Sequence, residues 1–295
     1  MYGKKLPNEE RLVTWTERFD AYVAGKQAAA VAARLPGFLT VETLAHNIGL
    51  DTVGNDWTSA LFDGPFFEST SRDSALPAIN TVFVQSADGN TGARNPSELG
   101  GGETDTHLIY EGLSRVRADG VMAGATTIRG SQTILAVWHP ELVRLRQSLG
   151  FPRYPAQIVA TRRGQLGIES ELMFNVPEVP VFILTTAAGA LAVRPQVERR
   201  PWITIIAGHL LDGLKTLHAE HGIRRISSIG GRALATELID AGVVQDIYLT
   251  TSPTPGGEPR TPFYTGAGPL RTTCVVTKSG RNEETGVLFE HLRAI

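Results

Sequence analysis

Residues 223–257, IRRISSIGGRALATELIDAGVVQDIYLTTSPTPGG, constrain this chain more than any other stretch. Ile223, Ile226 and Ile229 mark a run too short for a free-standing helix, so a buried strand is predicted there. Leu234, Leu238 and Ile239 then recur at helical spacing, and Gly242 follows as a C-terminal stop. From Val243 the run VVQDIYLTTSP is rich in β-branched residues and predicts a second strand, ended by Pro253. Gly230 and Gly231 join the first strand to the helix. Such a junction leaves free backbone N–H groups at a helix N-terminus, which favours a phosphate there. Ordinary α/β packing uses the same glycines, so the pair alone does not decide between the two.

The rest of the chain repeats this alternation. AINTVFVQS (78–86), DGVMAGATTI (119–128), AQIVATRRG (156–164), PVFILTT (180–186) and WITIIAG (202–208) predict strands, the third with a basic end. THLIYEGLSRVRA (106–118) and LLDGLKTLHAEHGI (210–223) predict helices, and WHPELVRLRQSLG (138–150) a connector or helix. Residues 86–103 predict a long polar loop, a kind of segment that is commonly functional. Residues 269–295 predict a terminal hairpin turning near Gly280 to Gly286. Strands alternating with helices imply an α/β domain with a largely parallel sheet, and the hairpin adds an antiparallel edge. Residues 1–77 are less legible. RLVTWTERFDAYVAG and KQAAAVAARL have helix-forming composition, and Leu12, Trp15 and Phe19 share a face that reads as packing. This part is expected to be a helical or irregular extension or cap, with a role in self-association.

Several function classes are excluded by what the chain lacks. A formal charge of −2 argues against a broad nucleic-acid footprint. No apolar run approaches the roughly 18 residues that span a bilayer, and the N-terminus has no apolar core of a secretory signal. The single Cys274 leaves no disulfide framework and no thiolate cage. The seven histidines show no consistent ligand spacing. His218 and His221 stand three apart on one helix without a carboxylate or third ligand, so no metal is expected. Residues 266–269, GAGP, lack the context of a dinucleotide fingerprint and read as a loop. A cytoplasmic enzyme or binding protein fits best.

Four stretches carry a resemblance to the reductase domain of the riboflavin-biosynthesis deaminase/reductase family. VQSADGN (84–90) is similar to the family's S-L-D-G-K/R strand end. LSRVRADGVMAGATTI (113–128) is similar to R-L-R-A-x-x-D-A-x-x-x-G-x-x-T-V. PVFILTT (180–186) resembles its central strand ending in threonines. Residues 223–257 resemble V-x-x-E-G-G-x-x-L-x-x-x-L-L-x-x-G-L-V-D-E with its following strand. The order is kept across residues 78–293. The resemblance implies a dihydrofolate-reductase-like three-layer α/β/α domain over 78–295, with a mixed, mostly parallel sheet and a C-terminal antiparallel hairpin. It implies an NADPH-dependent reductase of a small heterocyclic or sugar-bearing substrate, and a homodimer. The family's cofactor-holding positions fall on Gly124, Thr127, Gly230, Gly231, Arg232, Ala233 and Leu234, with Thr185, Thr186 and Ser86 as further candidates. A deaminase half is not expected, because the H-x-E and P-C-x-x-C patterns of the zinc enzyme are missing.

The substrate half departs from the family pattern. The glutamate before the double glycine is Ile229 here, the aspartate after the Gly-x-x-Thr turn falls on Ser131, and the basic residue closing S-L-D-G-K/R is Asn90. Arg115 matches the arginine that contacts the substrate phosphate in the family, and a substrate-binding G-x-S turn lands near Ser97. Arg115, Ser97 and Ser131 are therefore the substrate-binding candidates. Asp88 is the one carboxylate in a motif facing the expected site, so it is the catalytic candidate, against a plain turn aspartate in an Asp-Gly loop. Riboflavin-pathway reductase is the leading reading. A dihydrofolate- or pterin-reductase-like enzyme and a non-catalytic NADP-binding module are the alternatives.

Overall fold

The computed structural model describes residues 7–42, 50–93, 96–130, 132–266 and 274–294. Helix α1 (Pro7–Ala32) is continuous across the two helix-forming segments of the N-terminus. It docks by aromatic contacts. Phe19 meets Tyr154 edge-on at 5.6 Å and Tyr22 meets Trp138 at 5.5 Å. Trp15 packs on the same core, while the Leu12 side chain lies outside the described residues. Strands β1 (Leu39–Glu42), β2 (Leu50–Val53) and β3 (Phe66–Ser69) follow, with helix α2 (Asp56–Phe62) between the last two. Asn55 caps α2 through a reciprocal bond with Thr58, satisfying donors that a helix start leaves free.

The predicted strands of the main domain are present as β4 (Ala78–Gln85), β5 (Gly120–Gly124), β6 (Ala156–Thr161), β7 (Val181–Thr185), β8 (Ile203–Ala207), β9 (Arg225–Ser228) and β10 (Val244–Thr251). The hairpin is β11 (Cys274–Arg281) with β12 (Leu288–Ala294). All but β2 and β3 join one sheet in the order β1-β11-β12-β10-β4-β9-β5-β6-β7-β8. From β10 to β8 every neighbour is parallel, and the β1-β11-β12 edge is antiparallel. The fold is the expected mixed α/β one. The extension, however, does more than cover it: Leu39–Glu42 pairs with β11 and forms one edge of the sheet.

Short helices α3 (Gly102–Thr104) and α4 (Ala125–Ile128) accompany four longer ones, α5 (Pro140–Ser148), α6 (Ala187–Val197), α7 (Leu210–His221) and α8 (Arg232–Asp240). Alternation along the strands sends side chains to two faces. Met122, Ile158, Phe182 and Leu184 meet α7 and α8 through Leu214, Leu217, Leu234 and Leu238. Val121, Val159, Val181 and Ile183 meet the other layer, which holds α1 and α6. Helix α6 is capped by the Thr186 hydroxyl, which accepts from Gly189 N at 3.1 Å, and Pro195 sits in its last turn.

The segment expected as an ordinary helix at 106–118 is a π-helix over Asp105–Leu113 that ends in a turn. π-turns are rare and cluster at functional sites. Here Gly112 admits the Phe66 ring, since a Cβ there would come 2.9 Å from Cζ. The same winding aims the Glu111 carboxylate at Trp138 N and His139 N, 2.8 and 2.9 Å away.

At the amino ends of β4 and β9, charged groups fasten the β2–β3 hairpin to the sheet. Asp246 accepts from Ser69 N and Oγ at 2.9 and 2.7 Å and sits 2.8 Å from His291 Nε2. Burial acts to raise the Asp246 carboxyl, but His291 and Ser69 outweigh it and hold it below the usual range. Glu68 beside it behaves oppositely. Burial pushes it up to about 7, although Arg225 and Arg117 pull it down from 3.4 and 3.5 Å. A carboxyl raised in the folded state adds stability that is full below its unfolded value and lost as pH climbs through its folded one. Removing the titration with Glu68→Gln is therefore expected to raise the thermal midpoint relative to wild type by ~2–4 °C on going from about pH 5 to about pH 8.5. A parallel shift of both proteins in a calorimetric pH series would exclude Glu68 as the source.

Candidate active site

Neighbouring strands β5 and β9 send their connections to opposite faces of the sheet, α4 into one layer and α8 into the other. A crevice must open where connections diverge in this way, at the carboxyl ends of the strands. A cleft of about 1400 Å³ lies there. Single small-molecule pockets run to roughly 300–1,000 Å³, so this one has room for a ligand of dinucleotide size and a second molecule.

The double glycine forms its floor. Gly230 has φ +133 and Gly231 φ +86, values that side chains strongly disfavour. A Cβ on Gly231 would lie 3.4 Å from Thr127 Oγ1 and 4.0 Å from Gly124 Cα, so the two glycine turns nearly touch. No side chain caps α8, leaving the N–H groups of its first turn to the cleft. The uncapped start of α7 points there too, after Gly208 and His209. These dipole ends favour anionic groups.

One arm of the cleft is basic. Arg129, Arg162, Arg163, Arg232 and His209 line it against Glu237, which pairs with Arg162 at 3.1 Å. The loop carrying Arg162 and Arg163 is built firmly. Thr186 Oγ1 donates to Arg162 O at 2.8 Å, and Gly164, at φ +64, packs on Gly189 where a Cβ would collide with the backbone. Thr185 is 5% exposed and its hydroxyl has no hydrogen-bond partner. The opposite arm, at the end of β4, is apolar, with Phe83, Val84, Leu99, Tyr110 and Ile229 along it.

Gly124, Thr127, Thr185, Thr186, Gly230, Gly231, Arg232, Ala233 and Leu234 all line the cleft. Three other candidates do not. Ser86 is buried at the end of β4, where its hydroxyl accepts from Asn90 N at 3.2 Å and lies 2.8 Å from Asp88 Oδ1 and 2.9 Å from Gly256 O. Asp88 itself ties the 86–90 turn to the loop after β10, accepting from Gly256 N at 3.1 Å and from Asn90 Nδ2 at 3.2 Å. The Ser86 bond, then that of Gly256, holds its carboxyl below the usual range. Asp88 is not among the residues that line the cleft, and these bonds support the turn reading. Arg115 is 8% exposed and turned inward, donating to Ala136 O at 3.3 Å, with its guanidinium 5.4 Å from the Tyr110 ring centre. Burial lowers its pKa against the pull of Glu111. It backs Tyr110 instead of reaching the cleft. Ser131 and the Ser97 side chain lie outside the described residues.

Sequence reasoning passed over Arg129, Arg162, Arg163, His209 and Tyr110. The basic end of AQIVATRRG was the available signal for two of them. Tyr110 gave none, since a tyrosine inside an amphipathic run reads as packing.

A parallel-sheet cleft with glycine turns, free helix starts and a basic arm suits an anionic ligand of dinucleotide size. The family model described as the RibD C-terminal domain matches residues 77–287, and the chain belongs to that family. This is a reductase family, and oxidoreductase is the class it sets. No curated protein matches the chain. Among solved structures it is similar to a pyrimidine reductase-like protein from Corynebacterium diphtheriae, at TM-score 0.61 and 20% identity, covering 74% of this chain and 92% of that one. It is also similar to RibD of Acinetobacter baumannii, at TM-score 0.56 and 15% identity, covering 75% of this chain and 58% of that one. A third likeness is to the riboflavin biosynthesis reductase of Saccharomyces cerevisiae, at TM-score 0.51 and 14% identity over 76% and 92% of the two chains. These likenesses concern the fold.

Asp88→Ala is expected to lower the thermal midpoint and to open the 252–261 loop to limited proteolysis, with nucleotide affinity held within about twofold. A loss of affinity without loss of stability would return Asp88 to the site.

Proposed function

We propose that this protein is an NADPH-dependent reductase of the pyrimidine-reductase type, acting on a small heterocyclic acceptor. The observation that carries this is the facing pair of glycine turns, Gly124 and Gly230–Gly231, at a cleft whose basic arm leads away from them. Two features fit the cofactor: the uncapped α8 start set against a glycine cradle that a side chain would fill, and the orphaned, buried Thr185 hydroxyl. Bound, the dinucleotide supplies a hydride.

What the chain must do is hold and orient. The N–H groups of Arg232, Ala233 and Leu234 would take the pyrophosphate, and the exposed Thr127 hydroxyl would add a hydrogen bond. Arg162 and Arg163 stand on the basic arm, where guanidinium forks suit a ribose phosphate. Ile229, Val84 and Tyr110 shape the floor on which the acceptor would face the hydride, excluding water from it. Reduction then needs one proton besides the hydride, and solvent at the open rim supplies it.

A cytoplasmic homodimer belongs to the same proposal, with residues 1–77 as an extension of the reductase domain at 78–295. The edge strand β1 supports pairing, because Leu39 and Val41 are 59% and 66% exposed there. Light scattering on the purified chain decides the point, and a monomer at all concentrations would end it.

Calorimetric titration tests the cofactor reading. NADPH is expected to bind in the micromolar range, and Gly231→Asp to abolish binding by placing a side chain and a negative charge in the cradle. Arg163→Ala is expected to weaken NADPH about tenfold, near 1.4 kcal/mol, and NADH by less than twofold. Absence of binding by all pyridine nucleotides would overturn the reading.

A further inference from the structure

Helix α1 lies outside the family match at 77–287, yet its side chains reach the segment that follows the α4 turn. That segment runs back into the core beneath α1. Residues 132–138 belong to no helix or strand, although Ile134, Ala136 and Val137 are buried at 1%, 0% and 0% exposure. Buried main chain outside regular structure must find its hydrogen bonds elsewhere. Here side chains from distant segments supply them. Gln157 meets Leu135 N and O at 2.8 and 3.1 Å. Arg115 and Arg153 donate to Ala136 O and Val137 O at 3.3 and 2.7 Å, and Glu111 accepts from Trp138 N. At the end nearer α4 the partner is Tyr22. Its hydroxyl accepts from Ile134 N at 3.2 Å and lies 3.3 Å from Ile134 O and 2.9 Å from Thr133 Oγ1. One turn earlier on the same face of α1, Arg18 donates to Gln132 Oε1 at 2.9 Å.

These bonds bear on the cleft through α4. A helix of four residues without a side-chain cap does not hold itself in place. It is fixed from behind: Ile128 is sunk in the core that also holds Phe19 and Ile134, and Gly130 N donates to Glu171 Oε1 at 2.8 Å. Thr127 and Arg129, on either side of Ile128, line the cleft. The anchors that come next along the chain, at Gln132, Thr133 and Ile134, include Arg18 and Tyr22 of α1. Taking away the Tyr22 hydroxyl would leave the Ile134 main chain unpaired in an apolar core, a cost that shifting the segment relieves. The first part of the chain to feel such a shift is the turn carrying Thr127 and Arg129.

We propose that Tyr22 is a positioning residue of the cofactor site: the extension supplies a hydroxyl that holds residues 133–134 and so sets Thr127 and Arg129 for the nucleotide. The proposal rests on the reductase reading. Tyr22→Phe keeps the ring against Trp138 and removes only the hydroxyl. Phe19→Leu is the control, since it loosens the same helix at Tyr154 and leaves that hydroxyl in place. Both are expected to lower the thermal midpoint, so NADPH is titrated into the whole chain about 20 °C below each midpoint. Tyr22→Phe should then weaken NADPH about fivefold, while Phe19→Leu stays within about twofold of wild type. Hydrogen exchange on the same proteins without nucleotide should show the Ala125–Gly130 amides opening about tenfold more often in Tyr22→Phe alone. An NADPH Kd within twofold of wild type in Tyr22→Phe, an equal weakening in Phe19→Leu, or unchanged exchange at Ala125–Gly130 would each overturn the proposal. Failure of the reductase reading looks different: wild type then binds no pyridine nucleotide, and the exchange experiment still decides whether Tyr22 places the turn.

Discussion

The close approach of two glycine turns at the ends of β5 and β9 is the contact on which the site depends. β9 enters the sheet between β4 and β5, strands already laid down earlier in the chain, and its connection leaves by the opposite face. The chain turns there through positive φ at Gly230 and Gly231, which side chains disfavour, and passes in van der Waals contact with Gly124 and Thr127 before starting a helix at once. The cleft, the free N–H groups of α8 and the outlook of the basic arm all follow from that crossing. A Cβ at Gly231 would burden a conformation with φ +86.

Away from the cleft, the molecule spends its buried charge on holding the extension in place. Glu68, Arg117, Arg225, Asp246 and His291 meet where the β2–β3 hairpin reaches the amino ends of the strands. Buried ion pairs of this kind add little net stability over apolar packing, but breaking one leaves an unpaired charge at high cost. They specify a position more than they strengthen it. The anchoring lies at one end of the strands and the cleft at the other.

The same separation explains which residues changed role between sequence and structure. Ser86, Asp88 and Asn90 look like a site motif, because a polar turn at a strand end faces the ligand in this family. Here they satisfy one another and the loop after β10. Arg115 sits in the expected stretch, yet the π-helical winding carries it inward beside Tyr110. The polar candidates were thus less legible than the cleft-lining glycines and helix start, which are local features.

The strand–glycine–helix–strand unit of residues 223–251 was set by the sequence alone, because hydrophobic spacing, glycine turns and β-branched runs act over a few residues. The alternation that makes the fold an α/β one was set the same way. Tertiary structure decided the rest. Four residues, Leu39–Glu42, become a sheet edge only because β11 offers them a partner from the far end of the chain. Arg162 and Arg163 become a basic arm only when β6 lies within reach of α8, where Arg162 meets Glu237. Tyr110 comes to line a cleft only once its helix is wound and Arg115 stands behind it. Each depends on contacts between distant segments, whose geometry is fixed when the layers pack and not by the residues on either side.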